Sequence, residues 1–337
     1  MSEILNELGK KYFGGDIQKA LLKGDGSDRR IFRLFEPDRP DLGVIGVIHQ
    51  DLNENSQFFE ITRAMQSLSL PVPEIFMISQ DQTAYLLEDL GPFTLAEKIE
   101  LWNGSQDKEK IRSAYMEVLK NLVIMQFQLP ELLKGLLSKN PMNYAAFQGD
   151  VAYFRRNYLD CFGFGKEFSH QVEAEITDNL IGPLSRLEDK YFIYRDFQSR
   201  NIMWLEDKPW FIDYQSAMKG SLYYDPASLF FASKAGLDDE MIDELLLGYY
   251  HLLESPVTFE EFNRNFYLFV LLRRLRSLGS YGYLSQVKGK SQFYAAILPT
   301  LDQLAKILNQ GFFESDFYHL LLMVKRLGEL WKEKSAG

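Results

Sequence analysis

YRDFQSRNIMWLEDKPWFIDYQ, residues 194–215, is the most informative part of this sequence of 337 residues. Two apolar runs, YFIYRDF and PWFIDY, predict short strands, and NIMWLEDK between them predicts a hairpin. Asp196 lies near the end of the first run, Asn201 follows that run, and Asp213 lies near the end of the second. The segment therefore places three oxygen-bearing side chains on loops beside apolar strands.

This arrangement is typical of phosphoryl transfer. That chemistry needs a carboxylate that orients or deprotonates the acceptor hydroxyl, and oxygen ligands that hold Mg²⁺ on the phosphates. Protein kinases supply these groups as H-R-D-x-x-x-x-N and a later Asp, and Arg195, Asp196, Asn201 and Asp213 match that spacing. Asp and Asn are also common turn residues. The flanking strands and Arg195 together favour the catalytic interpretation.

The pattern of apolar residues divides the chain into two parts. After a leading helix, the first part reads as two strands, a helix and two further strands, and Asn53 is the predicted cap of that helix. Long amphipathic helices dominate after Thr94, interrupted by the strands of the central segment. We therefore predict an N-terminal nucleotide-binding lobe over residues 1–91 and a helical C-terminal lobe over residues 92–337, joined by a short hinge.

The chain resembles the aminoglycoside phosphotransferase/choline kinase superfamily, and it is similar in particular to bacterial N-acetylmuramate/N-acetylglucosamine kinases and related predicted phosphotransferases. The motifs that carry this likeness span roughly residues 20–310. Besides YRDFQSRN, they are GDGSDRRIFRL, LLEDLGPFTLAE, YYDPASL and RRLRSLGSYGY. The resemblance implies an α+β, protein-kinase-like fold with a small antiparallel-sheet N-lobe and a larger, mainly helical C-lobe.

The resemblance also implies roles for individual residues. It implies magnesium-dependent phosphoryl transfer from ATP or GTP to a small molecule, with Asp196 as the catalytic base. Asn201 and Asp213 stand at the metal-ligand positions, and Asp225 of YYDPASL matches the aspartate that braces the catalytic loop. Arg195, at the arginine position of the motif, is the remaining residue for which the resemblance implies a catalytic role.

The cation that should bind the nucleotide phosphates departs from the protein-kinase pattern. Protein kinases use a strand lysine for this role, but no lysine occurs between Lys23 and Lys98. An arginine is expected to take this role, and the candidates are Arg29, Arg30 and Arg33, with Arg30 and Arg33 preferred. Glu60, rather than Glu54, is the slightly favoured carboxylate to orient it. Gly24, Gly26 and Ser27 form a candidate phosphate-binding turn, although such turns are ordinary in hairpins.

The remaining predicted contacts concern the base and the acceptor. Glu88, Asp89 and Leu90 are expected to lie beside the adenine. The predicted acceptor-binding residues offer amide, guanidinium and phenol groups to a sugar, and they are Gln198, Arg200, Tyr214, Gln215, Arg273 and Tyr281. An arginine run such as 273–276 is more often a helix face paired with surface carboxylates than a ligand site.

Three functions remain open at this point. The leading one is an ATP-dependent kinase of a sugar or amino sugar. An aminoglycoside or choline-type kinase would need an acidic pocket for its cationic acceptor. A nucleotide-binding regulatory pseudokinase would also lack the strand lysine, but the intact base and metal positions argue against it.

The composition excludes several other classes of protein. A net charge of -10 disfavours binding to nucleic acid or to anionic membranes. The single cysteine, Cys161, and the scattered histidines, His49 among them, predict neither disulfides nor a zinc site, and the histidines are expected to be structural. No secretion signal is recognisable, so we expect a cytoplasmic protein, as a monomer or weak homodimer.

Overall fold

The computed structural model describes residues 2–22, 29–137, 141–254, 256–311 and 313–336. The predicted fold is confirmed: an antiparallel sheet is followed by a mainly helical part. By internal contacts the chain forms two compact units, Met1–Leu136 with Asp196–Ala217 and Leu137–Arg195 with Met218–Gly337. These units do not coincide with lobes divided at residue 91, and that boundary stays a prediction.

Helices make up most of the described chain. They are α1 (Ser2–Phe13), α2 (Leu52–Ser67), α3 (Leu95–Gly104), α4 (Lys108–Leu132), α5 (Lys134–Leu137), α6 (Tyr144–Phe154), α7 (His170–Glu175), α8 (Gly182–Leu184), α9 (Tyr224–Phe230), α10 (Asp239–Leu252), α11 (Phe259–Gly282), α12 (Ile297–Leu308) and α13 (Tyr318–Ala336). π-helical turns occupy Arg155–Asp160, Ile176–Ile181 and Tyr283–Val287, and 3-10 turns occupy Gly165–Glu167, Ser199–Asn201 and Ser291–Ala296.

The strands of the described residues form one larger sheet and two short pairs. They are β1 (Gln18–Leu22), β2 (Arg30–Glu36), β3 (Arg39–Ile48), β4 (Ile75–Ile78), β5 (Ala84–Glu88), β6 (Tyr191–Ile193), β7 (Ile202–Leu205), β8 (Lys208–Phe211) and β9 (Met218–Gly220). The larger sheet has the order β1-β2-β3-β5-β4 and is antiparallel throughout.

The first unit contains the predicted succession of two strands, a helix and two strands. It also contains β1, an additional edge strand that the sequence analysis missed, because its side chains are mostly exposed and show no apolar alternation. One face of the sheet packs on α1 through a core of Leu5, Phe32, Leu34, Val44, Ile48, Ala84 and Leu86. The alternation in β2 explains this packing, since Phe32 and Leu34 are buried while Arg33 lies on the other face.

Helix α2 begins two residues earlier than Asn53 predicts. Asp51 is the N-cap, and its carboxylate accepts a hydrogen bond from the backbone N–H of Glu54. Asp51 therefore satisfies one of the free N–H groups of the first turn, which is the role of an N-cap side chain. Glu54 is therefore the third residue of α2 rather than the first.

The hairpin predicted from NIMWLEDK is confirmed. β7 pairs with β8 from Ile202 opposite Phe211 to Leu205 opposite Lys208. Both central residues of its turn, Glu206 and Asp207, have positive φ, the geometry of a type I′ turn. Backbone hydrogen bonds from Trp204 to Phe93 and from Phe211 to Pro71 tie the hairpin into the first unit.

The second unit is helical and is organised around α11. Fifteen residues of this helix are buried, and it packs against α6, α9, α12 and the π turn at Arg155–Asp160. Gly282 permits the close approach to that turn, because a Cβ at this position would overlap the main-chain oxygen of Asn157. β6 pairs with β9 in the same unit. No helix in the part of the chain that the structure describes is long and apolar enough to span a bilayer.

Candidate active site

The loop after β6 is held by hydrogen bonds of its own polar residues. In the first unit, the Asn201 side-chain amide donates to the main-chain oxygen of Asp196 at 2.8 Å, and the Asn201 N–H donates to Gln198 at the same distance. The Ser216 hydroxyl lies 3.4 Å from Asp196 Oδ2. The Asp196 carboxylate is part-exposed, so it is available to a small molecule.

The β7–β8 hairpin brings Asn201 and Asp213 to the same end. Ile202 pairs with Phe211, and the next backbone contact is a 3.2 Å hydrogen bond from Ile212 N–H to Asn201 O. Asp213 follows with φ of 69°, a left-handed conformation that a non-glycine residue seldom adopts. Such backbone strain is common at functional sites. The hairpin therefore presents an amide and a carboxylate side by side in the fold.

These two residues have the chemistry that Mg²⁺ requires. The cation prefers hard oxygen ligands and usually binds one or two protein groups together with water and phosphate oxygens. The Asp213 side chain is 43% exposed, and the amide nitrogen of Asn201 is directed to Asp196, which leaves the amide oxygen as the group that can bind a cation. No cluster of three or more His, Cys, Asp or Glu with metal-site geometry occurs in the described ranges, so a protein-only cage is not seen there.

Arg29 contacts the carboxylates of this unit. Its Nη2 lies 2.7 Å from Glu54 Oε1, and its Nη1 lies 3.5 Å from Asp213 Oδ1. The Arg29 side chain is only 7% exposed. The Asp213 carboxylate also accepts a 2.7 Å hydrogen bond from Gln215 Nε2. Arg29 is therefore the cation that the structure places beside a proposed metal ligand.

The two preferred arginines lie elsewhere. Arg30 is exposed, with its guanidinium 5.3 Å from the ring centre of Phe32. Arg33 forms a two-pronged ion pair with Asp89, at 2.5 and 3.0 Å. Alternation along the strand places Arg30 on the opposite face from Arg29, whereas Arg33 is two pairs of residues further along, where it meets Asp89.

The helix carboxylate also differs from the prediction. Glu54 lies beside Arg29, whereas Glu60 lies on the exposed face of α2. Six residues correspond to about 600° of rotation, so the two side chains point about 120° apart on the helix. The structure thus corrects Glu60 to Glu54.

Tyr85 on β5 is a further neighbour that sequence reasoning missed. It is buried and stacks on Phe58. Burial raises the pKa of Tyr85 to about 12, helped by the negative charges of Glu54 and Asp213 and opposed by Arg29. Tyr85 stays neutral at physiological pH and forms part of the apolar wall behind these charges.

The predicted adenine-contacting segment follows β5. Asp89 holds Arg33 and accepts a hydrogen bond from Gly91 N–H, and Leu90 is buried. The Glu88 carboxylate accepts from the N–H of Glu74. Gly24, Gly26 and Ser27 lie outside the described residues.

The predicted acceptor residues of the first unit have different surroundings. Gln198 is part-exposed and Arg200 is exposed. Tyr214 is fully buried, bonded to the Thr62 hydroxyl at 2.8 Å and stacked on Phe58, and burial raises its pKa. Tyr214 is therefore a core residue, which corrects its prediction as an acceptor contact. Gln215 is also buried, and its side-chain amide donates a hydrogen bond to the Asp213 carboxylate.

In the second unit, Asp225 contacts the segment that precedes Asp196. Its carboxylate oxygens accept hydrogen bonds from the backbone N–H groups of Tyr194 at 2.7 Å and Arg195 at 3.0 Å. Asp225 is completely buried, and Arg195 has a positive φ of 77°. Hydrogen bonds of this kind are what the resemblance implied for Asp225, and its role in bracing the catalytic loop stays a prediction.

Two arginines of the α11 run lie near one buried carboxylate, Asp150. Arg276 forms an ion pair with Asp150, and Arg273 donates to the Tyr224 hydroxyl at 2.6 Å. Arg274 is buried beside Tyr281, and burial lowers its pKa to about 10. The paired-helix-face interpretation holds for Arg276. Asp150 was missed, since only the packing of α6 on α11 brings it to these arginines.

Comparisons with known proteins agree on the family. Residues 18–258 match the model of the APH phosphotransferase enzyme family. The N-acetylmuramate/N-acetylglucosamine kinase of Neisseria meningitidis serogroup B is 27% identical over 328 residues, covering 95% of this chain and 94% of the relative. The Pseudomonas aeruginosa enzyme of the same name is 23% identical over 289 residues, covering 83% and 81%.

Solved structures show the same fold. The ADP-bound aminoglycoside phosphotransferase APH(2'')-Ib superposes with a TM-score of 0.60 at 16% identity, covering 87% of this chain and 96% of that one. The family match extends over more than half of the sequence and includes the Asp196–Asp213 segment. This chain belongs to the APH family of phosphotransferase enzymes and is a small-molecule kinase of that family.

Proposed function

We propose that the protein transfers the γ-phosphoryl group of ATP to a hydroxyl of an amino sugar. The proposal rests on one observation above all: a single loop and a single hairpin of the first unit connect Asp196, Asn201 and Asp213. The amino-sugar kinases of Neisseria and Pseudomonas supply the acceptor class, since their similarity extends over most of this chain.

Asp196 is the proposed base. Its carboxylate would accept a hydrogen bond from the acceptor hydroxyl and take the proton as the oxygen bonds to phosphorus. The hydrogen bond from the Asn201 amide holds the main chain of Asp196 in place. This loop therefore orients the acceptor oxygen for an in-line attack.

Asn201 and Asp213 would hold Mg²⁺ through their side-chain oxygens. The bound ion would neutralise charge on the phosphates and stabilise the leaving diphosphate. Arg29, oriented by Glu54, would add a fixed positive charge for the same oxygens, in place of the absent strand lysine. Arg33 is instead held by Asp89, which leaves it a structural role beside the segment predicted to contact adenine.

The arginines of α11 favour a sugar over a cationic acceptor. Arg276 and Arg273 lie near Asp150, the single carboxylate among the contacts described above, and Arg274 is buried beside Tyr281. Aminoglycosides and choline carry positive charge, so this excess of guanidinium groups would repel them. Arg273 and Tyr281 therefore remain proposed sugar contacts in this unit, and Gln198 and Arg200 remain separate proposals in the first unit.

An ADP-release assay tests the reaction over a panel of amino sugars, aminoglycosides and choline. We expect turnover with an amino sugar, and a fall in kcat of about 10²- to 10⁴-fold in Asp196→Ala, the usual contribution of a general base. Asp207→Asn is the matched control, because Asp207 is an exposed carboxylate at the far end of the same hairpin.

The alternatives predict other outcomes. Turnover with choline or an aminoglycoside, and with no amino sugar, would mean that the acceptor is cationic and not an amino sugar. Nucleotide binding without turnover on any acceptor would indicate a regulatory pseudokinase. Full activity of Asp196→Ala would remove the base assignment.

A further inference from the structure

His49 follows β3 and faces the first turn of α2. It is 8% exposed, and its backbone N–H donates to Thr83 O at 2.9 Å, so the main chain at this position is fixed. The sequence analysis assigned His49 no role beyond structure. Its ring nonetheless lies against two polar residues of α2, Glu54 and Asn55.

Asn55 determines the protonation of the ring nitrogen that it contacts. The Asn55 amide nitrogen donates to two main-chain oxygens, those of His49 at 2.9 Å and Gln82 at 2.8 Å. Both amide hydrogens are thus used, and Oδ1 must act as an acceptor. His49 Nδ1 lies 3.0 Å from that oxygen, so Nδ1 carries the hydrogen. Asn55 is completely buried, which makes an exchange of these partners costly.

The other ring nitrogen faces Glu54. His49 Nε2 is 3.7 Å from Glu54 Oε2, while Glu54 Oε1 is 2.7 Å from Arg29 Nη2. One carboxylate therefore faces two nitrogen groups, with the imidazole on the strand side and the guanidinium on the other. Rotation of the Glu54 side chain away from Arg29 would displace it from both neighbours.

We propose that His49 is a positioning residue for the nucleotide-binding cation. It confines the Glu54 carboxylate so that Oε1 holds the Arg29 guanidinium toward Asp213. This inference rests on the proposed function, because it assigns Arg29 to the nucleotide phosphates. His49 touches no phosphate in this arrangement and acts through Glu54.

The geometry also makes position 49 an alternative place for the cation. A side chain at this position on the strand already faces Glu54, and a lysine there would present an ammonium group to the same carboxylate. A cation at position 49 would thus have the same glutamate partner as Arg29.

The first experiment measures nucleotide affinity with a fluorescent ADP analogue, without magnesium, in His49→Leu. We expect the Kd to rise about tenfold, the effect of weakening one charge-assisted hydrogen bond, with KM for ATP rising more than kcat falls. His319→Leu is the matched control, since His319 pairs with a glutamate in the second unit. An unchanged Kd in folded His49→Leu would overturn the proposal.

The second experiment moves the cation. Arg29→Met should bind the nucleotide weakly, and Arg29→Met combined with His49→Lys should recover at least part of the lost affinity. If a folded double variant recovers no affinity, position 49 does not face the place where Arg29 would bind the phosphates, and the proposal is contradicted.

A third measurement needs no variant. The ¹⁵N chemical shift of His49 Nδ1 should be that of a ring nitrogen that carries a hydrogen, and a change in the Nε2 shift on adding ADP is expected. An Nδ1 without a hydrogen would contradict the Asn55 contact and the proposal with it. If the unaltered protein binds no nucleotide, the proposed function itself fails, whereas binding that is insensitive to His49 removes only this inference.

Discussion

Arg29 lies between two carboxylates of the first unit, and its terminal nitrogens face one each. Burying a guanidinium is costly unless charged partners compensate it. Glu54 and Asp213 supply that compensation, and a triphosphate would add further negative charge at the same place. At the scale of single residues, this makes Arg29 the most consequential cation of the unit.

We expect Arg29→Met to raise the nucleotide Kd about 10- to 100-fold, because one or two charge-assisted hydrogen bonds are lost. Isothermal titration with ADP measures this effect. Arg30→Met is the adjacent control, since Arg30 is exposed on Phe32. A larger loss in Arg30→Met than in Arg29→Met would restore the sequence-based preference for Arg30.

At the scale of elements, the β7–β8 hairpin determines where Asn201 and Asp213 meet. Its register depends on a two-residue turn in which Glu206 and Asp207 both have positive φ, at 51° and 57°. Side chains in this conformation are strained, and glycine is not. These two residues therefore lower the stability of the hairpin at its turn, which is the end remote from Asn201 and Asp213.

Asp207→Gly should therefore stabilise the fold by about 1 kcal/mol, the cost of a left-handed residue with a Cβ. Urea unfolding gives the free energy directly. Asp189→Gly is the contrasting control, because Asp189 is exposed and does not have a positive φ, so added chain entropy should destabilise it. A destabilised Asp207→Gly would mean that the turn is not of type I′.

At the scale of the whole molecule, the net charge is -10. The surroundings of one buried carboxylate differ from this general acidity, because they are arginines. Asp150 on α6 pairs with Arg276 of α11 and lies near Arg273 and Arg195. These arginines lower its pKa, but burial outweighs them and the pKa of Asp150 is raised. Asp150 is only 6% exposed, so the loss of water dominates.

The sign of the pH effect follows from that direction. A carboxyl group whose pKa is raised in the folded protein binds its proton more tightly there, so its contribution to stability falls as pH rises from below the ordinary value of 3.8 through the folded pKa. We expect the stability of the unaltered protein relative to Asp150→Asn to decrease over this rise. Urea unfolding at a series of acidic pH values measures the difference. A relative stability that increases with pH would show that the arginines outweigh burial.

Local patterns in the sequence were enough for the order of elements in the first unit and for the hairpin that joins the proposed site residues. Strand alternation and spacing predicted the hairpin, and Asp196, Asn201 and Asp213 lie within one short segment, so neighbouring backbone geometry places them. The same applies to the succession of strands and helix in the first unit. Propensity and periodicity act over a few residues, which is the range of these features.

The partners of the charged groups depended on folding. Arg29 and Glu54 come from elements 25 residues apart, and Asp213 joins them only when the hairpin packs into the first unit. The choice of Arg29 over Arg30, of Glu54 over Glu60, and of a buried Tyr214 over an exposed one reflects which face each side chain takes. Tertiary packing sets those faces, because a contact between distant segments has no counterpart in the local pattern of residues.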